Sequence, residues 1–125
     1  MAEPELVNYI EDIATYSPPL HSGTVNRRLI QAELGAGFEL VHGTLAPGGN
    51  ALPHYHPTEW QVILLLEGEA RLVLGDNEPV VVRGGAVIRI PPATPHVFDV
   101  LGDRPAKVFV LYCPPLGPDS FRPAG

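Results

Sequence analysis

Little in this sequence could build a covalent or an electrostatic scaffold. Of its 125 residues only Cys113 is a cysteine, so no intrachain disulfide can form and no set of thiolates can hold zinc. Cys113 itself reads as a small buried hydrophobe at a strand end. Basic residues are also scarce. Eight Lys and Arg stand against fourteen Asp and Glu, for a net charge of −6, and the eight are scattered along the chain. Without a basic stripe to neutralise phosphates, nucleic acid and anionic membrane surfaces are poor partners. No apolar run approaches the roughly 20 residues of a membrane span. Residues 1–13 are acidic and lack the basic start and apolar middle of a secretion signal, so a cytoplasmic location is expected. No glycine-rich phosphate loop precedes a helix, and Ser17, Ser22 and Ser120 lack the surroundings of an activated nucleophile.

What is present is a globular composition, 45% apolar and 18% charged, in a chain long enough for one core. Thirteen Gly and fifteen Pro are spread without period, as suits many short strands joined by tight turns. Leu6, Ile10 and Ile13 have helical spacing, which allows a short helix before Ser17-Pro18-Pro19. Residues 26–30 read as a strand of an N-terminal arm. From Phe38 onward the pattern is strand and turn: 38–46 up to Pro47-Gly48-Gly49, then 51–56, 62–66, 69–74, 79–83, 86–90, 96–100 and 107–113. About eight or nine strands at intervals of roughly ten residues predict a sandwich or barrel. Residues 62–66 and 108–113 are apolar on both faces, so one face should meet the interior and the other a cover. In so small a protein the expected cover is a second copy, which makes a homodimer the expected assembly. The tail after Pro114 is expected to lie over the surface.

Three of the five histidines stand where turns become strands. His54 and His56, one residue apart, would point to one face of a strand, roughly 7 Å apart along the backbone. Pro53 and Pro57 bracket them, and His96 follows the rigid 91–95 loop. Two rings on one face and a third from another turn can converge on one divalent ion, and neutral imidazole is a common ligand of Zn, Fe, Ni, Cu and Co.

These residues stand at a recognisable spacing. Gly48, five residues, His54-Tyr55-His56, four residues, Gln61, six residues, Gly68 resembles the first motif of the cupin family, in which a glutamate precedes that last glycine. Gly85, five residues, Pro91-Pro92-Ala93, two residues, His96, three residues, Val100 resembles the second, with Ala93 for a glycine and Val100 for an asparagine. The resemblance implies an all-β, jelly-roll-like double-stranded β-helix over residues 37–115. It also implies an arm over 1–36, with a short helix and a strand exchanged in a dimer, and a tail over 116–125. It implies one divalent ion (Zn, Fe(II), Ni, Mn or Co) on His54, His56, His96 and the residue at the glutamate position.

Counting back from Gly68 makes that fourth residue Gln61, whose amide oxygen carries no charge. Such a site should be a stronger Lewis acid and bind its ion less tightly. Glu59 shares strand parity with Gln61, and a bulge near Trp60 could bring it in instead. Glu59 is also the candidate catalytic proton carrier. By parity, Ile63, Leu65, Leu72, Phe98 and Val100 should line a largely apolar pocket. His42 joins them if Glu39 faces water, and a hydrogen-bonded core histidine is the alternative reading of His42. His21 receives no role. Family members of this size include dioxygenases, isomerases, lyases and polyketide cyclases. The resemblance therefore implies an enzyme acting on a small, largely apolar, oxygen-bearing molecule, by Lewis-acid cyclisation or isomerisation or by Fe(II) dioxygenation. A non-catalytic binding or sensing protein is the alternative.

Overall fold

In the computed structural model, which describes residues 5–124, the chain is almost entirely β. Ten strands run in chain order as β1 (Thr15–Tyr16), β2 (His21–Ile30), β3 (Glu39–Tyr55), β4 (Trp60–Glu67), β5 (Glu69–Leu74), β6 (Val80–Arg83), β7 (Val87–Ile90), β8 (His96–Leu101), β9 (Ala106–Cys113) and β10 (Arg122–Pro123). One curled sheet follows the order β6-β5-β8-β3-β9-β4-β7, with β2 and β10 also paired to β3 and β1 to β2. Every pairing is antiparallel. The crossovers bring β3, β8, β9 and β4 together although they lie far apart in sequence, as the jelly-roll expectation requires. No helix among the described residues is long and apolar enough to cross a membrane.

The alternation of side chains along these strands decides what is inside. Along β4, Gln61, Ile63 and Leu65 face in while Trp60, Leu64 and Leu66 face out. Along β9, Ala106, Val108, Val110 and Tyr112 face in. These residues meet Val41, Leu45, Leu72, Ile88, Ile90, Phe98 and Val100 in one continuous core. Burying a side chain of this size contributes about 1.5–3 kcal/mol, so this set is the main driving force for closure.

Several expectations need correcting. Residues 38–46 and 51–56 form one strand, β3, rather than two. Pro47-Gly48-Gly49 makes an irregular bulge opposite Gly23, after which pairing with β2 resumes from Leu45↔Thr24 to Asn50↔Ser22. A Cβ on Gly23 would lie 3.2 Å from Gly49 Cα, so the bulge closes on a pair of glycines. The helix allowed near residues 6–13 is a single 3-10 turn, Ile10–Asp12, with no buried residue to anchor anything longer. Cys113 is exposed, because it falls on the outward parity of β9 opposite Trp60. The face parity assumed for β3 is reversed. Glu39 is buried, its carboxylate paired with Arg28 Nε at 2.8 Å, and Leu40, His42 and Thr44 face out. The C-terminal tail does not simply lie over the surface: Ser120 is buried and β10 pairs with β3.

Candidate metal centre

β3 and β8 place two of the imidazoles by register alone, since His54 sits directly across from His96. His56 follows one residue past the end of β3. All three rings are buried, with centroids 4.3 Å (54–96), 5.1 Å (54–56) and 5.4 Å (56–96) apart. One nitrogen of each lies within 4.8 Å of the others, so the three could hold one ion.

Every ring is oriented from behind. Nδ1 of His54 donates to the Leu52 carbonyl at 2.7 Å, that of His96 to the Thr94 carbonyl at 3.0 Å, and that of His56 to the Ser120 carbonyl at 2.7 Å. A carbonyl accepts only, so each Nδ1 carries the proton and each Nε2 is left with a lone pair. Burial pushes all three rings toward the neutral form and holds His96 down at about 3. Around His56 the Ser120 carbonyl, Glu59 and Gln61 pull the other way, but burial dominates. Neutral rings with free Nε2 lone pairs are the form that binds metal.

Of the four buried side-chain polar atoms left without partners among the described residues, three gather at this point and the fourth is Arg27 Nε. His56 Nε2, His96 Nε2 and Gln61 Oε1 are buried and make no hydrogen bond. Each such atom costs about 1–3 kcal/mol. A cation accepting their lone pairs would remove that penalty, so the residues fit the ion the motifs imply. Gln61 reaches the site from β4, where its Nε2 donates to the Tyr112 hydroxyl at 3.4 Å and leaves Oε1 bare. Glu59 is buried as well, but its carboxylate accepts from Ser120 Oγ at 2.7 Å and from the Thr58 amide at 3.3 Å, and it stands outside the three-histidine group. β4 pairs in regular register from Trp60 to Leu65, so no bulge brings Glu59 to the fourth position.

A small cavity of about 50 Å³ adjoins His54, His96 and Gln61. Ile63 and Phe98 line it as expected, with Leu45, Ala51, Val108 and Val110. Leu65, Leu72 and Val100 pack deeper in the core instead. His42 is far from the cavity, on the outer face, edge-on to Phe109 at 5.4 Å, because the parity of β3 is the reverse of that assumed. His21 was missed. It lines the cavity with its ring 5.3 Å from that of His54, its Nδ1 donating to the Pro19 carbonyl at 2.7 Å. With Thr24 and Asn26 it makes a polar row along β2. The bond to a carbonyl two residues back is the same one that His54 and His96 make, and a proline-turn-histidine start to a strand was the available signal.

The family profile described as Cupin domain matches residues 41–112. The uncharacterized protein MJ1618 of Methanocaldococcus jannaschii is 33% identical over 95 residues, which are 74% of this chain and 75% of that protein. Among solved structures, the polyketide cyclase RemF from Streptomyces resistomycificus is 29% identical and superposes with a TM-score of 0.79, over 98% of this chain and 87% of its own. Ectoine synthase from P. lautus superposes at 0.76 over 97% and 91%, with 16% identity, a likeness of fold alone.

Proposed function

The chain belongs to the cupin domain family, and from that premise we propose that it is a metal-dependent enzyme acting on a small, largely apolar molecule that carries oxygen. The reading rests on one observation: three buried imidazoles with Nδ1 tied to carbonyls, of which His56 and His96 leave Nε2 buried without a partner, beside the equally unpartnered amide oxygen of Gln61. A divalent ion held there would supply Lewis-acid polarisation of a carbonyl or enolate oxygen.

The chain's own groups do the rest. His54, His56 and His96 would hold the ion, with Gln61 Oε1 as fourth ligand. Ile63, Phe98, Val108 and Val110 exclude water from the adjoining cavity, and Thr24, Asn26 and His21 offer hydrogen bonds to a second polar group of the substrate. Likeness to a polyketide cyclase, at 29% identity over nearly the whole chain, favours cyclisation or isomerisation over dioxygenation. A homodimer is part of the same proposal, the covered face being the outer side of β4 and β7.

The test is elemental analysis of natively purified protein, followed by turnover of an aromatic poly-β-ketone analogue with and without chelator. Stoichiometric divalent metal and chelator-sensitive turnover are expected. Unchanged turnover after complete metal removal overturns the reading. A binding or sensing role is the second reading, carried by the same three-histidine group and by the absence of any buried carboxylate in it to serve as general base. It predicts a ligand that binds without turning over.

A further inference from the structure

We propose that the C-terminal strap, residues 116–124, is a working part of the metal centre, and that its task is to orient His56. The proposal rests on the metal-binding reading above. His54 and His96 take their orienting carbonyls from two residues back on their own chain segments, so those bonds form with the strands themselves. His56 does not. Its carbonyl belongs to Ser120, 64 residues further along the chain. Two imidazoles of the centre are therefore set locally, and the third is set only when the strap is docked.

The strap is held by a chain of bonds that all lead to this point. Leu116 N donates to Glu39 Oε1 at 3.1 Å. Gly117 N donates to Ser120 Oγ at 2.8 Å, and Ser120 Oγ donates to Glu59 Oε2 at 2.7 Å. Beyond Ser120, β10 pairs Arg122 with Tyr55 and Pro123 with His54, and Ala124 N reaches the Pro53 carbonyl at 3.0 Å. The Phe121 ring lies nearly parallel to His54 at 5.5 Å and edge-on to His56 at 4.8 Å. Strap residues do not line the cavity beside His54, His96 and Gln61, so the strap closes the back of the centre while the cavity is its front. Glu59 thereby acquires a role the sequence did not suggest. It is a positioning residue, anchoring the strap that aims His56.

The test is made on the full-length chain with Co(II) as the probe, using chelator competition for affinity and proton NMR of the metal-free protein for the ring N–H signals. In Ser120→Ala/Phe121→Ala the His56 Nδ1–H signal should be lost to solvent exchange while those of His54 and His96 persist. Co(II) affinity should fall about 10–100-fold, the usual effect of removing an outer partner of a ligand. The same pair of changes in a His56→Ala background should cost no further affinity. Ser120→Thr, which keeps the hydroxyl, should restore most of the affinity loss caused by Ser120→Ala alone. If the double variant does not fold, Ser120→Ala alone breaks the same anchor without removing a charge and is read in the same way. Wild-type affinity with all three ring signals intact overturns the proposal, as does an equal loss of affinity with and without His56. Failure of the unaltered protein to take up Co(II) is a different result, and overturns the metal reading itself.

Discussion

At the scale of single residues, Gln61 is the one that would set the charge of the proposed centre. Three neutral imidazoles and an amide would leave a divalent ion uncompensated by any ligand, and the buried carboxylate of Glu59 is engaged with Ser120. Gln61→Glu should therefore tighten divalent metal binding by about tenfold or more, since a carboxylate brings a full negative charge to the cation where the amide brings only a dipole. Chelator competition measures it, and unchanged affinity would place position 61 outside the ligand set. Ala93 bears on a different question. It stands where the family motif has glycine, and the turn is kept: φ is +63° and its N–H bonds the His56 carbonyl at 2.7 Å. A left-handed alanine costs about 1–2 kcal/mol, and glycine loses about 0.4–1 kcal/mol of that advantage through chain entropy. Ala93→Gly is expected to stabilise the protein by about 0.5–1 kcal/mol in urea denaturation.

Elements meet tightly where β4 turns into β5. Gly68 has φ +95°, and a Cβ there would lie 2.8 Å from both Ala106 Cα and the Pro105 carbonyl oxygen. Both obstacles are backbone, so neither can swing aside. Gly68→Ala should destabilise by about 2 kcal/mol or more, through strain and clash together. Urea midpoints at unchanged slope would report it, and a neutral effect would mean that the β4–β5 turn is free to rearrange. The strands this turn joins were legible because β-branched and aliphatic runs alternate between punctuating Gly and Pro. Their pairing was not. Nothing local says that β3 should lie between β8 and β9, since that order comes from closing the sheet over one core. The face of β3 was misread for a related reason. Alternation fixes which residues share a face, but only the partners fix which face is inside, and the Arg28–Glu39 pair lets a carboxylate occupy an interior position.

For the molecule as a whole, the acid limb of stability follows from its buried histidines. Burial holds His96 at about 3 in the folded state, against about 6.5 when unfolded, so as pH falls the unfolded chain takes up the proton first. His54 and His56 are shifted in the same direction. The metal-free protein should thus be fully stable above pH ~6.5 and lose stability steadily between about 6.5 and 3, as followed by its melting temperature. A flat profile down to pH 4 would contradict the buried, neutral state of these rings. Assembly is decided at the same scale. Trp60, Leu64, Leu66 and Val87 stand exposed on the outer face of β4 and β7, an apolar row of the kind that marks an association surface. Sedimentation is expected to give a dimer, and Leu64→Asp a monomer. A monomeric unaltered protein would leave that face without its expected cover.

The chain's own order of residues determined the all-β class, the turn positions and the three histidines, because strand alternation, Gly and Pro punctuation and ligand spacing are short-range properties. The count back from Gly68 also singled out Gln61 as the fourth ligand now proposed. Only the tertiary structure decided that His21 joins the cavity, that His42 faces outward, that Glu59 serves the strap, and that Ser120 aims His56. Each of these depends on segments brought together across 30 or more residues by sheet closure, and a sequence carries no local record of which distant carbonyl will meet which ring.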